Sequence, residues 1–218
     1  MSERVLAIDV ETATATRESM CSLGIATFQD GRMVEQRYWM VRPPNNYYDA
    51  ANIAIHGIQP AETENAPMFR DIWNEVRPYF DSADFLIAHN AGFDMTVMRS
   101  TLGFYGLEIP DYKYGCTYVL SNRLLGAAGK GERRLNTLCG RYSVPLYHHH
   151  DASEDSVACG KMVYEMILDT EETLDRMVPE GGFTSLSEAF NQQGLFKSMY
   201  RSLDEAWAEG CRYRDEAE

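Results

Sequence analysis

Ala7-Ile8-Asp9-Val10-Glu11-Thr12 stands almost at the start of the chain, and its reading decides the fold. Arg4 to Val10 reads as a buried strand, because Val5, Leu6, Ile8 and Val10 are apolar and mostly β-branched. Side chains at i and i+2 of a strand point the same way, so Asp9 and Glu11 project together from one face at the strand's end. Two carboxylates forced together repel, and a cation between them removes the cost. Hard divalent cations that take oxygen ligands, Mg²⁺ or Mn²⁺, suit such a pair. Alone, the stretch is equally compatible with a strand that merely ends in solvent.

Two further stretches shift that balance. His89-Asn90-Ala91-Gly92-Phe93-Asp94 follows the apolar run Phe85 to Ala88 and supplies a third carboxylate where a strand turns into a helix. His150-Asp151-Ala152-Ser153-Glu154-Asp155 supplies a histidine and a fourth carboxylate near the start of a later helix. Asp9, Glu11, Asp94 and Asp155, with a histidine five residues before the last, resemble the DEDD 3′-to-5′ exonucleases in their histidine (DEDDh) variant. In the tyrosine variant a tyrosine stands four residues before the final aspartate, and here that position is Asp151. His-Asn-Ala-Gly-Phe-Asp, together with Ile55-His56-Gly57-Ile58, makes the chain most similar to the DNA polymerase III epsilon-type proofreading exonucleases.

The resemblance implies a ribonuclease H-like α/β fold and release of nucleoside 5′-monophosphates by a two-metal mechanism, with cations about 4 Å apart. It makes Asp9 the bridge between two Mg²⁺ or Mn²⁺ ions, Glu11 and Asp155 the partners that complete the site of the attacking water, and Asp94 a holder of the second ion. His150 is the candidate general base, with a pKa expected to be raised by the nearby carboxylates. Thr12, His56, Asn90 and Phe93 are candidates for substrate contact, although His56 reads as a structural loop residue and Phe93 as core. His89 reads as a holder of its loop by hydrogen bonds. One departure is Cys116, which precedes Thr117 where the family often carries an aspartate. The run His148-His149-His150 raises zinc as a rival, but consecutive residues rarely aim at one ion and no HxH, HxxxH or cysteine partner completes a tetrahedral set. His148 and His149 then read as loop residues near the substrate.

The remaining chain follows from local pattern. Cys21 to Phe28 and Met33 to Val41 read as strands joined at Asp30-Gly31, giving three antiparallel strands in series. Pro43-Pro44 opens a loop to about Pro60, and Pro67 to Phe80 has helical spacing with Pro67 in the first turn. Asp84 to Ala88 and Lys113 to Cys116 read as strands. Phe93 to Tyr105, Thr117 to Leu125, Arg134 to Tyr142 and Ser153 to Leu168 read as helices. Gly126 to Gly131 is a flexible connector and lacks the GxxxxGK[ST] pattern of a phosphate-cradling loop. The expectation is an α/β, ribonuclease H-like mixed sheet flanked by helices. It comprises an exonuclease domain over residues 1–168 and a helical C-terminal extension over 169–218.

Composition limits partners. The 218 residues are 44% hydrophobic and 24% charged, ordinary for a globular protein, and no apolar run reaches membrane-spanning length. The organising strand starts by Arg4, and five scattered cysteines show no CxxC pair, so a cytoplasmic protein with reduced thiols and no leader is expected. A net charge of −13 opposes nonspecific nucleic-acid binding. Lys113, Arg123, Lys130, Arg133, Arg134 and Arg141 nevertheless face only Glu132 in their segment, which is either a phosphate-contacting surface or a solvated helix face. The expected partners are single-stranded nucleic-acid 3′ ends, DNA before RNA, with affinity concentrated at the end. Trimming of RNA, as by oligoribonuclease or ribonuclease T, is the enzymatic alternative. A replisome interaction subunit using the fold as a platform is the alternative of another class. Gln192-Gln193-Gly194-Leu195-Phe196 loosely fits the QxxLF pattern of sliding-clamp-binding peptides, so the extension is a candidate contact for a polymerase or clamp.

Overall fold

A computed structural model describes residues 3–125, 129–174 and 197–198. The three opening strands form as their patterns require: β1 (Arg4–Thr12), β2 (Met20–Gln29) and β3 (Arg32–Met40), antiparallel in series. Asp30 and Gly31 both take positive φ, 49° and 77°, as a two-residue hairpin turn requires.

The stretch expected as loop up to Pro60 instead contains α1 (Ala50–His56), and α2 (Pro60–Thr63) follows it. Asn52 donates hydrogen bonds to Thr12, and the Asp49 amide donates to the Ala13 carbonyl. Helix α1 is thus held by tertiary contacts to the end of β1, which a local pattern does not reveal. Next comes α3 (Phe69–Asp81); Pro67 stands before its N-cap Met68 rather than in the first turn. Then follow β4 (Phe85–Ala88), α4 (Ala91–Phe104), β5 (Lys113–Cys116), α5 (Thr117–Leu125), α6 (Leu135–Arg141) and α7 (Ala152–Leu174). A short 3-10 turn, Lys130–Arg133, occupies part of the expected connector, and residues 126–128 lie outside the described set.

The sheet order is β3-β2-β1-β4-β5, with β4 parallel to both β1 and β5, so the fold is the expected mixed sheet flanked by helices. A two-residue strand, β6 (Lys197–Ser198), adds antiparallel to β5. Of the extension, residues 169–174 continue α7 and Lys197–Ser198 form this strand. The Gln192–Phe196 motif and Cys211 lie outside the described residues. No described helix is long and apolar enough to cross a membrane.

Strand alternation sorts the core into two layers. Leu6, Ile8 and Val10 of β1 pack with Phe69, Trp73, Val76, Met95 and Met98 of α3 and α4. Val5 and Ala7 pack with Leu120, Leu138, Ala158 and Met162 of α5, α6 and α7. Asp9 and Glu11 continue the Val5–Ala7 series, which puts them on the α7 side. Two glycines let α7 lie close on the sheet. A Cβ on Gly24, the cross-strand neighbour of Asp9, would meet the Ala152 carbonyl oxygen at 1.9 Å, and one on Gly160 would meet the Phe28 ring at 2.1 Å. The first turn of α7 is thereby pressed against β2 directly beside Asp9.

Candidate active site

Asp9 and Glu11 stand at the C-terminal end of β1, and α7 brings Asp155 to them. One carboxylate oxygen from each of the three lies within 4.8 Å of the others. Asp94, in the first turn of α4 and 1% exposed, accepts a hydrogen bond from the Val10 amide at 3.2 Å. The turn into α4 depends on Asn90, which holds a left-handed conformation (φ 58°) that asparagine tolerates better than most residues. The four acids line one cleft of about 620 Å³.

Crowding of acids makes ionisation costly. Desolvation, followed by the charge of Asp94 and Glu11, holds Asp9 well above the ordinary carboxylate range. Desolvation and then Asp155 push Glu11 up to about 9. Desolvation likewise outweighs the Val10 amide at Asp94, which rises to about 8. Oxygen-only donors, mutually repelling and aimed at one space, fit a hard divalent cation. The same residues thus satisfy the donor chemistry of a Mg²⁺ or Mn²⁺ site.

The histidine turn is held by its own acids. Asp151 accepts from the Ser153 and Glu154 amides and so caps α7. His148 pairs with Glu154 at 2.6 Å on the exposed side. His149 is more than a loop residue: its Nδ1 lies 3.0 Å from Asp155, and its ring stacks on His150 at 3.9 Å. His149, His150 and Asp155 bring ligand atoms within 4.8 Å of one another, so these two consecutive histidines do converge on one carboxylate. His150 takes a positive φ of 72°, which turns its amide to donate to Asp155 at 2.8 Å. Its pKa is drawn below the ordinary value, by desolvation of the ring and then by His149, against the pull of Asp155. The expected upward shift is thus reversed, because ring desolvation and His149 together outweigh Asp155.

Thr12, His56, Asn90 and Phe93 all line the cleft. The Ile58 amide donates to His56 Nδ1 at 3.0 Å, leaving Nε2 to donate to the Thr12 carbonyl at 3.2 Å. His56 therefore closes α1 onto β1. Phe93 is half-buried, with the Arg17 guanidinium 4.8 Å over its ring. His89 bonds Thr117 through Nδ1 at 2.9 Å, and burial draws its pKa down to about 4, in keeping with a loop-holding role. Cys116 accepts the Ala91 amide at 3.4 Å, so the thiol that replaces the family's aspartate supports the start of α4. Sequence reasoning missed Asn52, Tyr118 and Asn136 as cleft residues, and left Arg134 between a phosphate-contacting surface and a solvated helix face. Asn52 had one available signal: it precedes His56 by four residues, which share a face once the stretch is read as helix.

Residues 6–163 match a family model described as exonuclease (RNase_T). A PolC-type DNA polymerase III of Halalkalibacterium halodurans is 26% identical over 225 residues, covering 96% of this chain and 15% of that protein. The chain thus spans only a small part of the PolC-type relatives it matches. The DNA polymerase III subunit epsilon of Salmonella typhimurium is 25% identical over 149 residues, 65% of this chain and 61% of that one. Among solved structures, exonuclease X in complex with 5′ overhanging duplex DNA superimposes with a TM-score of 0.61 at 22% identity, over 75% of this chain and 91% of that one. E. coli exonuclease I in complex with a dT13 oligonucleotide gives 0.67 at 16% identity, over 80% and 43%.

Proposed function

The chain belongs to the RNase_T exonuclease family, and from that membership we propose that it removes nucleotides from the 3′ end of single-stranded nucleic acid, DNA before RNA, releasing nucleoside 5′-monophosphates. The observation that carries this reading is the convergence of Asp9, Glu11 and Asp155 within 4.8 Å, at an ionisation cost that a bound divalent cation relieves. Asp9, Glu11, Asp94 and Asp155 would hold two divalent ions, Mg²⁺ or Mn²⁺, which supply charge neutralisation at the phosphorus oxygens and a more acidic water. His150 would take a proton from the attacking water. Its depressed pKa keeps the imidazole unprotonated at neutral pH, free to accept a proton. Asp155 is fixed for its part by the His150 amide and the His149 ring. Thr12, Asn90 and Phe93 form the wall for the terminal nucleotide, and His56 holds that wall in place.

DNA is preferred to RNA because the sequence relatives are DNA polymerase III proteins. The same relatives are consistent with a cytoplasmic, replication-linked role; residues 1–168 are taken as the exonuclease domain and 169–218 as an extension that is a candidate contact for a polymerase or clamp. A complete set of acids and histidine argues against an inactive platform. The test is digestion of 5′-labelled single-stranded DNA and matched RNA with Mg²⁺, Mn²⁺ or EDTA, beside Asp9→Ala and His150→Ala. A ladder shortening from the 3′ end, lost in EDTA and in both variants, is expected. No cleavage of either polymer in Mg²⁺ or Mn²⁺ would overturn the reading.

A further inference from the structure

A strand entering the cleft carries about one negative charge per nucleotide into a space lined by four carboxylates, on a protein whose net charge is −13. Cations held by those acids neutralise the scissile end. Attraction for the next phosphate along the strand has to come from other groups, of which a basic side chain carries the most charge. Among the described residues, Arg134 is the one lysine or arginine lining the cleft. It sits in extended backbone (φ −65°, ψ 148°) between the 3-10 turn and α6. Leu135 beside it is sunk in the core with Leu138, so the backbone under Arg134 is fixed while its side chain stays exposed.

The adjacent cation is engaged elsewhere: Arg133 lies over the Tyr118 ring at 5.5 Å. Arg134 makes no ion pair or side-chain hydrogen bond with any described residue, although four acids line the same cleft. A solvated guanidinium on a fixed stem, with no competing carboxylate, is ready for an anionic ligand. Its planar fork matches two phosphate oxygens at once.

We propose that Arg134 receives a backbone phosphate of the bound strand on the 5′ side of the scissile bond. It is a substrate-binding residue that sets affinity for polynucleotide and takes no part in breaking the terminal bond. This rests on the exonuclease reading above, and the experiment separates the two. The full-length protein, Arg134→Ala and Arg134→Lys are compared on a single-stranded oligonucleotide and on the p-nitrophenyl ester of thymidine 5′-monophosphate. The ester contains a cleavable phosphodiester but no upstream phosphate.

Arg134→Ala is expected to raise KM for the oligonucleotide by about tenfold, with kcat little changed and hydrolysis of the ester unaltered. Arg134→Lys restores part of the affinity. With Ca²⁺ as the cation, the slope of log Kd against log salt for the oligonucleotide falls by about 0.7 in Arg134→Ala, the share of one phosphate contact on a single strand. An unchanged KM and slope, or equal loss on both substrates, overturns the proposal. If the unaltered protein cleaves neither substrate, the exonuclease reading fails. The salt slope then decides alone: a smaller slope in Arg134→Ala upholds the phosphate contact, and an unchanged one overturns it.

Discussion

The four carboxylates of the cleft are held in two different ways. Asp9 and Glu11 ride on β1 in the middle of the sheet, and Asp94 is tied back to that strand by the Val10 amide. Asp155 depends on a surface turn: the His150 amide, the His149 ring and the seating of α7 on Gly24 all have to be in place before it reaches the others. The first half is set by the sheet and carries the electrostatic cost. The second half is docked onto it and brings His149 and His150. Substitutions in the strand half should therefore change charge with the architecture intact, whereas those in the docked half should change geometry.

The sharpest test is Asp9→Asn. It should lower activity by about three orders of magnitude or more, the scale of losing an electrostatic stabiliser at the reacting centre. In EDTA it should raise the melting temperature, because one member of a repelling buried cluster is gone. A variant that melts lower in EDTA would break the account of the strand half. His150→Gln comes next, with kcat reduced by about 10²–10³-fold and melting little changed. The backbone amide that supports Asp155 survives that substitution, so a large fall in Mg²⁺ affinity would show that the side chain, too, holds the acid.

Gly24→Ala probes the docking itself. With its new Cβ 1.9 Å from the Ala152 carbonyl oxygen, the substitution should cost about 1–3 kcal/mol in denaturant unfolding and lower activity with it. Full activity at reduced stability would mean that Asp155 does not need α7 seated as it is. The smallest effect is one of pH. Glu11 and Asp94 are raised from ordinary values of 4.5 and 3.8 to about 9 and about 8, so between those limits the folded protein binds more protons than the unfolded chain. The metal-free melting temperature should fall as pH rises through that window, and saturating Mg²⁺ should flatten the fall. A metal-free profile that rises from pH 5 to 8 would contradict the sign.

Much of this was legible in the sequence for a physical reason: it is written in short-range pattern. β1 to β3, the Asp30-Gly31 turn, the strand–helix passage into Asp94 and the extent of α5 all follow from alternation, periodicity and turn chemistry. Features fixed by contact between distant segments were not legible. Helix α1 is seven residues long and is held by Asn52 and His56 gripping Thr12 across some 40 positions of chain. Gly24 reads as an ordinary strand glycine until Ala152 is laid against it. His150 was expected to feel the carboxylates first, yet the solvation of its ring, which no motif records, turned its pKa the other way.

The pairing of Lys197–Ser198 with Lys113–Tyr114 bears on how the chain behaves in company. Without that short strand, the outer side of β5 becomes a row of backbone donors and acceptors open to any passing extended segment. A chain cut at residue 168 would end inside α7 as well, six residues before that helix stops at Leu174. Trimming the molecule to its motif-bearing residues would thus create a new adhesive edge. The pairing of Lys197–Ser198 with β5 then serves colloidal solitude.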